Sequence, residues 1–248
     1  MADKIERQLA VFRERPEIGA VATNGIVVTE TRSYLWQGLQ GPKVREPTVL
    51  ELLQGDRNPI SASMLMRTEV FRELGGYDED IVCGEDLDLF CRMVAAGYPL
   101  AVLNEPLYVY MREGQTVTGG SVIERERDML RVVEKMDPRV EHEGYRSPLT
   151  LREFSNAYGE RLLRLVGAHQ RRGEYEEVRR LLARSDDLPA PSFVLRLLSR
   201  LERRNRRLFA RLLTIERRLR HARYFIARWG LVGAVQQHVE RRIDRRRD

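Results

Sequence analysis

The feature that most constrains this chain is the stretch from Asn58 to Arg112, where an apolar run, a double glycine and a dense set of carboxylates follow one another. The run is Ile60-Ser61-Ala62-Ser63-Met64-Leu65-Met66-Arg67. Gly75-Gly76-Tyr77-Asp78-Glu79 and Gly84-Glu85-Asp86-Leu87-Asp88-Leu89-Phe90-Cys91-Arg92 come next, so that Asp78, Glu79, Asp80, Glu85 and Asp86 fall within nine residues. The apolar run predicts a buried strand over 60–66. Thr68 is placed to cap a short helix over 69–74, and Gly75 to close it as the C′ residue. Two adjacent glycines permit a backbone path with positive φ. Leu87, Phe90, Cys91 and Val94 recur at helical spacing and predict a helix over 85–96 stopped by Gly97, with acids in its first turn complementing the helix dipole. Short strands are expected over 98–103 and 107–111, on either side of Pro106.

The flanking sequence extends this pattern. Ile5, Leu9 and Phe12 predict an amphipathic helix over 3–14, ended by Pro16. The segment 18–28 is small, apolar and β-branched and predicts a buried strand. A polar loop or weak hairpin is expected over 29–46, then a short helix over 48–53 with Pro47 as its first residue and Gly55 closing it. The near-continuous apolar character of 21–28, 60–66 and 107–111 implies one sheet covered on both faces. From Val122 onward the chain reads as helices broken at Asp137-Pro138, near 144–148, at Gly173 and over 188–191. The fold class is therefore α/β followed by a mostly helical region, with a boundary near Pro148 between domains 1–148 and 149–248.

Charge divides along the same line. The whole chain carries +6, but residues 151–248 hold 25 Arg, no Lys and 12 acids, a balance of +13 that leaves −7 on residues 1–150. Such asymmetry suggests an acidic globular part and a basic helical tail suited to an anionic surface. No apolar run reaches the ~18 residues needed to span a bilayer. No charged-then-apolar-then-small pattern opens the chain, so a cytoplasmic location is expected, peripheral at the inner membrane face where the tail meets lipid. Cys83 and Cys91 match no metal or redox spacing and read as reduced thiols. A surface role is expected for His142, His169, His221 and His238, none of which accompanies a Gly-x-Ser-x-Gly motif. A calcium loop starting at Asp78 fails, since Val82, Cys83 and Leu89 stand where an oxygen ligand, Gly and Glu are needed.

The ordered set 61–67, 69–74, Gly75 to Glu79 and Glu85 to Arg92 resembles the acceptor-side half of inverting, family-2-type glycosyltransferases of the GT-A fold. Asp3 to Leu9 (Asp-Lys-Ile-Glu-Arg-Gln-Leu) resembles the helix that follows that family's metal-binding motif, and the likeness covers roughly 3–118. The resemblance implies transfer of a sugar from a nucleotide-diphosphate donor to a hydroxyl acceptor of the cell-surface glycan or lipid-linked type. It implies Asp86 as the general base, Glu85, Ser63 and Arg112 at the acceptor, and Gly75, Gly76, Asp78, Asp88 and Arg92 as supports. A divalent cation, Mg²⁺ or Mn²⁺, is implied for the complete enzyme. Its Asp-x-Asp pair belongs before Asp3 and is not among these 248 residues, nor does a His follow Tyr110-Met111-Arg112, so no metal ligand is assigned. Asp3 reads as a helix cap. The alternative reading of 85–88 is plain helix capping. The alternative for the chain is a non-catalytic truncated relative that serves as a membrane- or partner-binding module.

The tail carries its own pattern. Leu198, Leu201, Asn205, Leu208, Leu212, Ile215, Leu219, Ala222, Ile226 and Trp229 alternate spacings of three and four, which predicts a coiled coil and a homodimer through 194–229, with Asn205 at an a position. Arg alternating with Leu, Phe225 and Trp229 equally suits an anionic membrane surface. Nucleic acid is not expected, since no recognition module is present. On this reading the chain from Ser192 onward is separable from the acidic half.

Overall fold

A computed structural model of the chain describes residues 3–37, 42–55, 58–111, 121–205, 207–220 and 222. The elements in order are α1 (Lys4–Glu14), β1 (Ala20–Val28), β2 (Ser33–Leu35), β3 (Val44–Arg45), α2 (Val49–Gln54), β4 (Leu65–Met66), α3 (Thr68–Glu73), α4 (Glu85–Ala95), β5 (Leu100–Met111), α5 (Val122–Glu134), α6 (Leu151–Arg171), α7 (Tyr175–Ala183) and α8 (Phe193–Arg204). A further helix, α9, covers 207–220.

The sheet is mixed, with strand order β2-β1-β5-β3 and β4 on β1. Its centre is the parallel pair β1–β5, in which Ala20 lies opposite Leu100 and Val28 opposite Met111. β2 and β4 both run antiparallel to β1, at its two ends. Burial follows the two-residue period of a strand. Ala20, Ala22, Leu100 and Val102 enter the main apolar cluster with α2 and α4–α9. Val21, Ala101 and Leu103 point to the opposite face, where they meet Val11 of α1. The sheet is thus covered on both faces along 100–103, whereas Val109 and Met111 at the far end of β5 are exposed, contrary to expectation; the main cluster crosses the expected boundary at Pro148 without a break, from Ala20 to Leu213. Among the described residues no helix is long and apolar enough to cross a membrane.

Several expectations need correction. The stretch 60–66 is not a strand throughout: Ser61–Ser63 form a 3₁₀ turn and only Leu65–Met66 pair with β1. Ser63 is the reason. Its hydroxyl accepts from the Thr23 N–H (3.1 Å) and lies within donating distance of the Thr23 and Ile60 carbonyls (3.0 and 2.7 Å), so a side chain replaces the ladder there. β5 instead runs unbroken through Pro106, because a register shift between Thr23 and Asn24 removes the need for its missing N–H. In α1 the buried side chains are Gln8 and Val11, while Ile5 and Leu9 are exposed; the Gln8 amide donates to the Ser63 carbonyl at 3.0 Å. Asp3 stands at the N-cap but does not cap, its carboxylate accepting from Arg7 Nε at 2.8 Å. Thr48, not Pro47, opens α2, through a capping box with Glu51. Thr68 lies inside α3, and Arg67 takes the N-cap position. His169 is buried, with Nδ1 against Glu174.

The expected continuous helix through 198–229 is not formed within the described residues. α8 ends at Arg204, and Asn205 caps the next helix through Oδ1, which accepts from the Leu208 N–H at 3.0 Å. Asn competes for backbone donors, which favours a cap over a buried seam position. Of the stripe, Leu198 enters the chain's own core and Leu201 and Leu212 pack against it partly buried, whereas Leu208, Ile215 and Leu219 are exposed; Phe209 and Leu213, each one position off the stripe, are buried instead. Because α8 and α9 contribute to that core, residues 193–220 are not a separable appendage. Residues 223–229, with Phe225, Ile226 and Trp229, lie outside the described residues, as do His221 and His238.

Candidate active site at the start of α4

The carboxylate-bearing turn is built from main-chain motifs outward. α3 ends in a Schellman motif: the Gly75 N–H donates to the Arg72 carbonyl (3.0 Å) and the Gly76 N–H to the Phe71 carbonyl (3.0 Å). Both glycines have positive φ, 76° and 73°; the motif requires it at Gly75, the C′ residue. The chain then turns through Asp78, whose Oδ1 accepts from the Asp80 N–H at 2.9 Å. It enters α4 at Gly84, where φ is 101°. At the far end of α4, Met93 lies against Gly19, just before β1 begins.

A buried clamp fixes this turn. Arg92 donates from Nε to Asp88 Oδ2 (2.8 Å), from Nη1 to the Leu74 carbonyl (2.6 Å) and from Nη2 to the Gly76 carbonyl (2.8 Å). Asp88 is fully buried, and its second oxygen meets Nζ of Lys135, the residue that caps the end of α5, at 2.7 Å. Lys135 also reaches Asp78 at 2.9 Å. That hydrogen bond, then the Asp80 N–H, holds the Asp78 carboxyl below its ordinary value. Further along α5, Arg131 donates to the Asp80 carbonyl (3.0 Å), and Asp128 Oδ2 accepts from the Cys83 N–H (3.1 Å). Burial pushes the Tyr145 phenol beside the clamp up to about 12, with the Asp88 charge as the next cause.

Gly75, Gly76, Asp78, Asp88 and Arg92 are thus brought together as one support. Lys135, Asp128 and Arg131 belong to it too, and sequence reasoning missed them. Their signal was present in the spacing, since positions 128, 131 and 135 share one helical face.

Glu85 and Asp86 stand apart from the clamp. Both are half-buried in the first turn of α4, and among the described residues neither pairs with a cation. Glu85 accepts from the Gly84 N–H at 3.0 Å and Asp86 from the Leu87 N–H at 2.7 Å. Each therefore keeps a further oxygen for another partner. Tyr77 lies close by, exposed and edge-on to Phe71 at 5.5 Å. Partial burial, then the charges of Asp86 and Glu85, raises its phenol.

The remaining assigned residues do not join this group. Ser63 is completely buried with its hydroxyl engaged by Thr23 and Ile60, so it supports the sheet and does not face an acceptor. Arg112 lies outside the described residues. Cys83 and Cys91 are free thiols, and burial pushes both upward, Cys91 the further. Among the described residues no group of three or more His, Cys, Asp or Glu is placed to hold a metal ion. Neither Glu85 nor Asp86 lines the cavity of about 700 Å³ beside α6 or the hollow of about 330 Å³ at the Gly75-Gly76 turn.

Compared with protein-family models, curated proteins and solved structures, the chain matches none.

Proposed function

We propose that this chain carries the acceptor-side half of an inverting glycosyltransferase with a GT-A-type sheet, and that Asp86 is its general base. The observation that carries the reading is the separation of roles within one cluster. Asp78 and Asp88 are neutralised by Lys135 and Arg92, while Glu85 and Asp86 stand half-buried beside them with no cation partner among the described residues. Structural capping alone does not require such a clamp beneath it. In this reading Asp86 takes the proton from an acceptor hydroxyl as that oxygen attacks the anomeric carbon, and the nucleoside diphosphate leaves from the opposite face. Glu85 positions the acceptor, and the exposed ring of Tyr77 covers an apolar sugar face.

Among the described residues no group of His, Cys, Asp or Glu is placed to hold the divalent cation of this reaction, which would come with the donor-binding half. The test is transfer from labelled nucleotide sugars by a polypeptide that contains both this segment and a donor-binding half. Asp86→Asn is expected to lower kcat by roughly 10²–10⁴ while leaving donor binding intact. Glu85→Gln should lose less, part of it in KM. Near-normal turnover in Asp86→Asn would return the acids to helix capping.

A further inference from the structure

The cavity of about 700 Å³ lies between the end of α2, the first turn of α5, α6 and α9. Arg125, Arg161, Arg164, Arg171, Arg217 and Arg220 line it, against one carboxylate among the described residues, Glu126. Three of these cations are accounted for. Arg161 is buried, donating to the Leu53 carbonyl at 3.0 Å and lying 3.8 Å from Glu126. Arg125 reaches the other oxygen of Glu126 at 3.5 Å, and Arg220 pairs with Glu216 at 2.9 Å. Arg164, Arg171 and Arg217 meet no carboxylate among the described residues. The Arg164 Nε is buried without a hydrogen-bond partner. An unfilled buried donor beside a second buried guanidinium is unfavourable, and an anion would relieve both terms. Burial and then the Arg164 charge push the Arg161 guanidinium down to about 10, the direction like-charge crowding produces.

The geometry points to a binding site for a phosphate-bearing ligand of small-molecule size, held by the guanidinium groups of Arg164, Arg171 and Arg217. Guanidinium forks match phosphate oxygens two at a time. The cavity falls within the range of small-ligand pockets and exceeds what a lone inorganic phosphate fills. Gln54, Gln170 and Thr214 supply neutral hydrogen-bonding groups on the same walls. The proposal is independent of glycosyl transfer, because the cavity does not include Glu85 or Asp86 and its test does not read activity.

The chain is titrated by calorimetry with inorganic pyrophosphate, against sodium chloride at matched ionic strength. In parallel it is floated with phosphatidylcholine vesicles with and without phosphatidic acid. Saturable pyrophosphate binding is expected, weakened about ten- to a hundredfold in Arg164→Gln and in Arg217→Gln. Vesicle retention that needs phosphatidic acid and is displaced by pyrophosphate identifies a lipid headgroup, while pyrophosphate binding without retention identifies a soluble phosphate ester; either supports the site. Thermal melting without ligand separates recognition from structure, since Arg164→Gln should leave the midpoint unchanged or raise it by removing repulsion on Arg161. A lowered midpoint would mark Arg164 as structural. No binding beyond the chloride control, or equal binding by both variants, overturns the proposal.

Discussion

Replacing Asp88 by Asn isolates the clamp from the chemistry it supports. The side chain is fully buried, Arg92 is 8% exposed and Lys135 25% exposed. The substitution keeps the shape and one oxygen but removes the charge facing both cations. The Leu74 and Gly76 carbonyls still accept from Arg92, yet they do not neutralise it. Breaking a buried pair costs about 3–5 kcal/mol, and the lower end applies because Lys135 retains Asp78. A chain of this size loses about 2–4 °C of melting temperature per kcal/mol, so a fall of roughly 6–12 °C is expected. Asp86→Asn, two residues earlier, loses only its dipole interaction, about 0.3–1 kcal/mol. Urea unfolding followed by circular dichroism compares the two. An Asp88→Asn midpoint indistinguishable from that of Asp86→Asn would refute the division between a structural and a reactive pair of carboxylates.

Three further predictions follow from the same geometry. Ser63→Ala should destabilise the chain by about 1–3 kcal/mol in urea, because the buried Thr23 N–H loses its acceptor; an unchanged midpoint would restore Ser63 as a residue facing ligand. Gly84→Ala should cost about 1–2 kcal/mol for a side chain at positive φ, besides displacing Met129, whose methyl occupies the place of the added carbon; a neutral melting temperature would show that α4 starts elsewhere. The depressed carboxyl of Asp78 contributes stability that is present above its unfolded value, near 3.9, and is lost as pH falls through the folded value. Asp78→Asn should therefore be less stable than wild type at neutral pH, by less than about 1 kcal/mol given its exposure, and the two melting curves should converge below pH ~4; a constant gap down to acid would exclude this linkage.

How far the sequence disclosed the site depended on distance along the chain. The double glycine, the closing Gly97 and the helix of 85–96 were legible because each rests on contacts within a few residues. Lys135 was not, since it meets Asp78 across 57 positions. Ile60 to Met66 misled because apolar content signals burial but not whether backbone or hydroxyl completes the ladder. The three-four spacing of the tail marked Leu198 but missed Phe209 and Leu213, each one position off the stripe, because spacing alone could not tell a partner helix from the chain's own α6 and α7. The arginines of α5, α6 and α9 could not be grouped from the sequence, because only the packing of separate helices gathers them around one cavity.

The clamp also bears on the order in which the molecule assembles. Arg92 finds Asp88 4 positions away and the Gly76 and Leu74 carbonyls 16 and 18 positions away. The central strand pair must instead bring Ala20 to Leu100. Closing the longer loop costs more chain entropy before any contact rewards it. The α3–α4 unit can therefore be structured in the folding transition state ahead of the sheet that later supports it. φ-values at Arg92 above those at Val21 are the expected kinetic signature, and the reverse order would mean that the sheet recruits the turn.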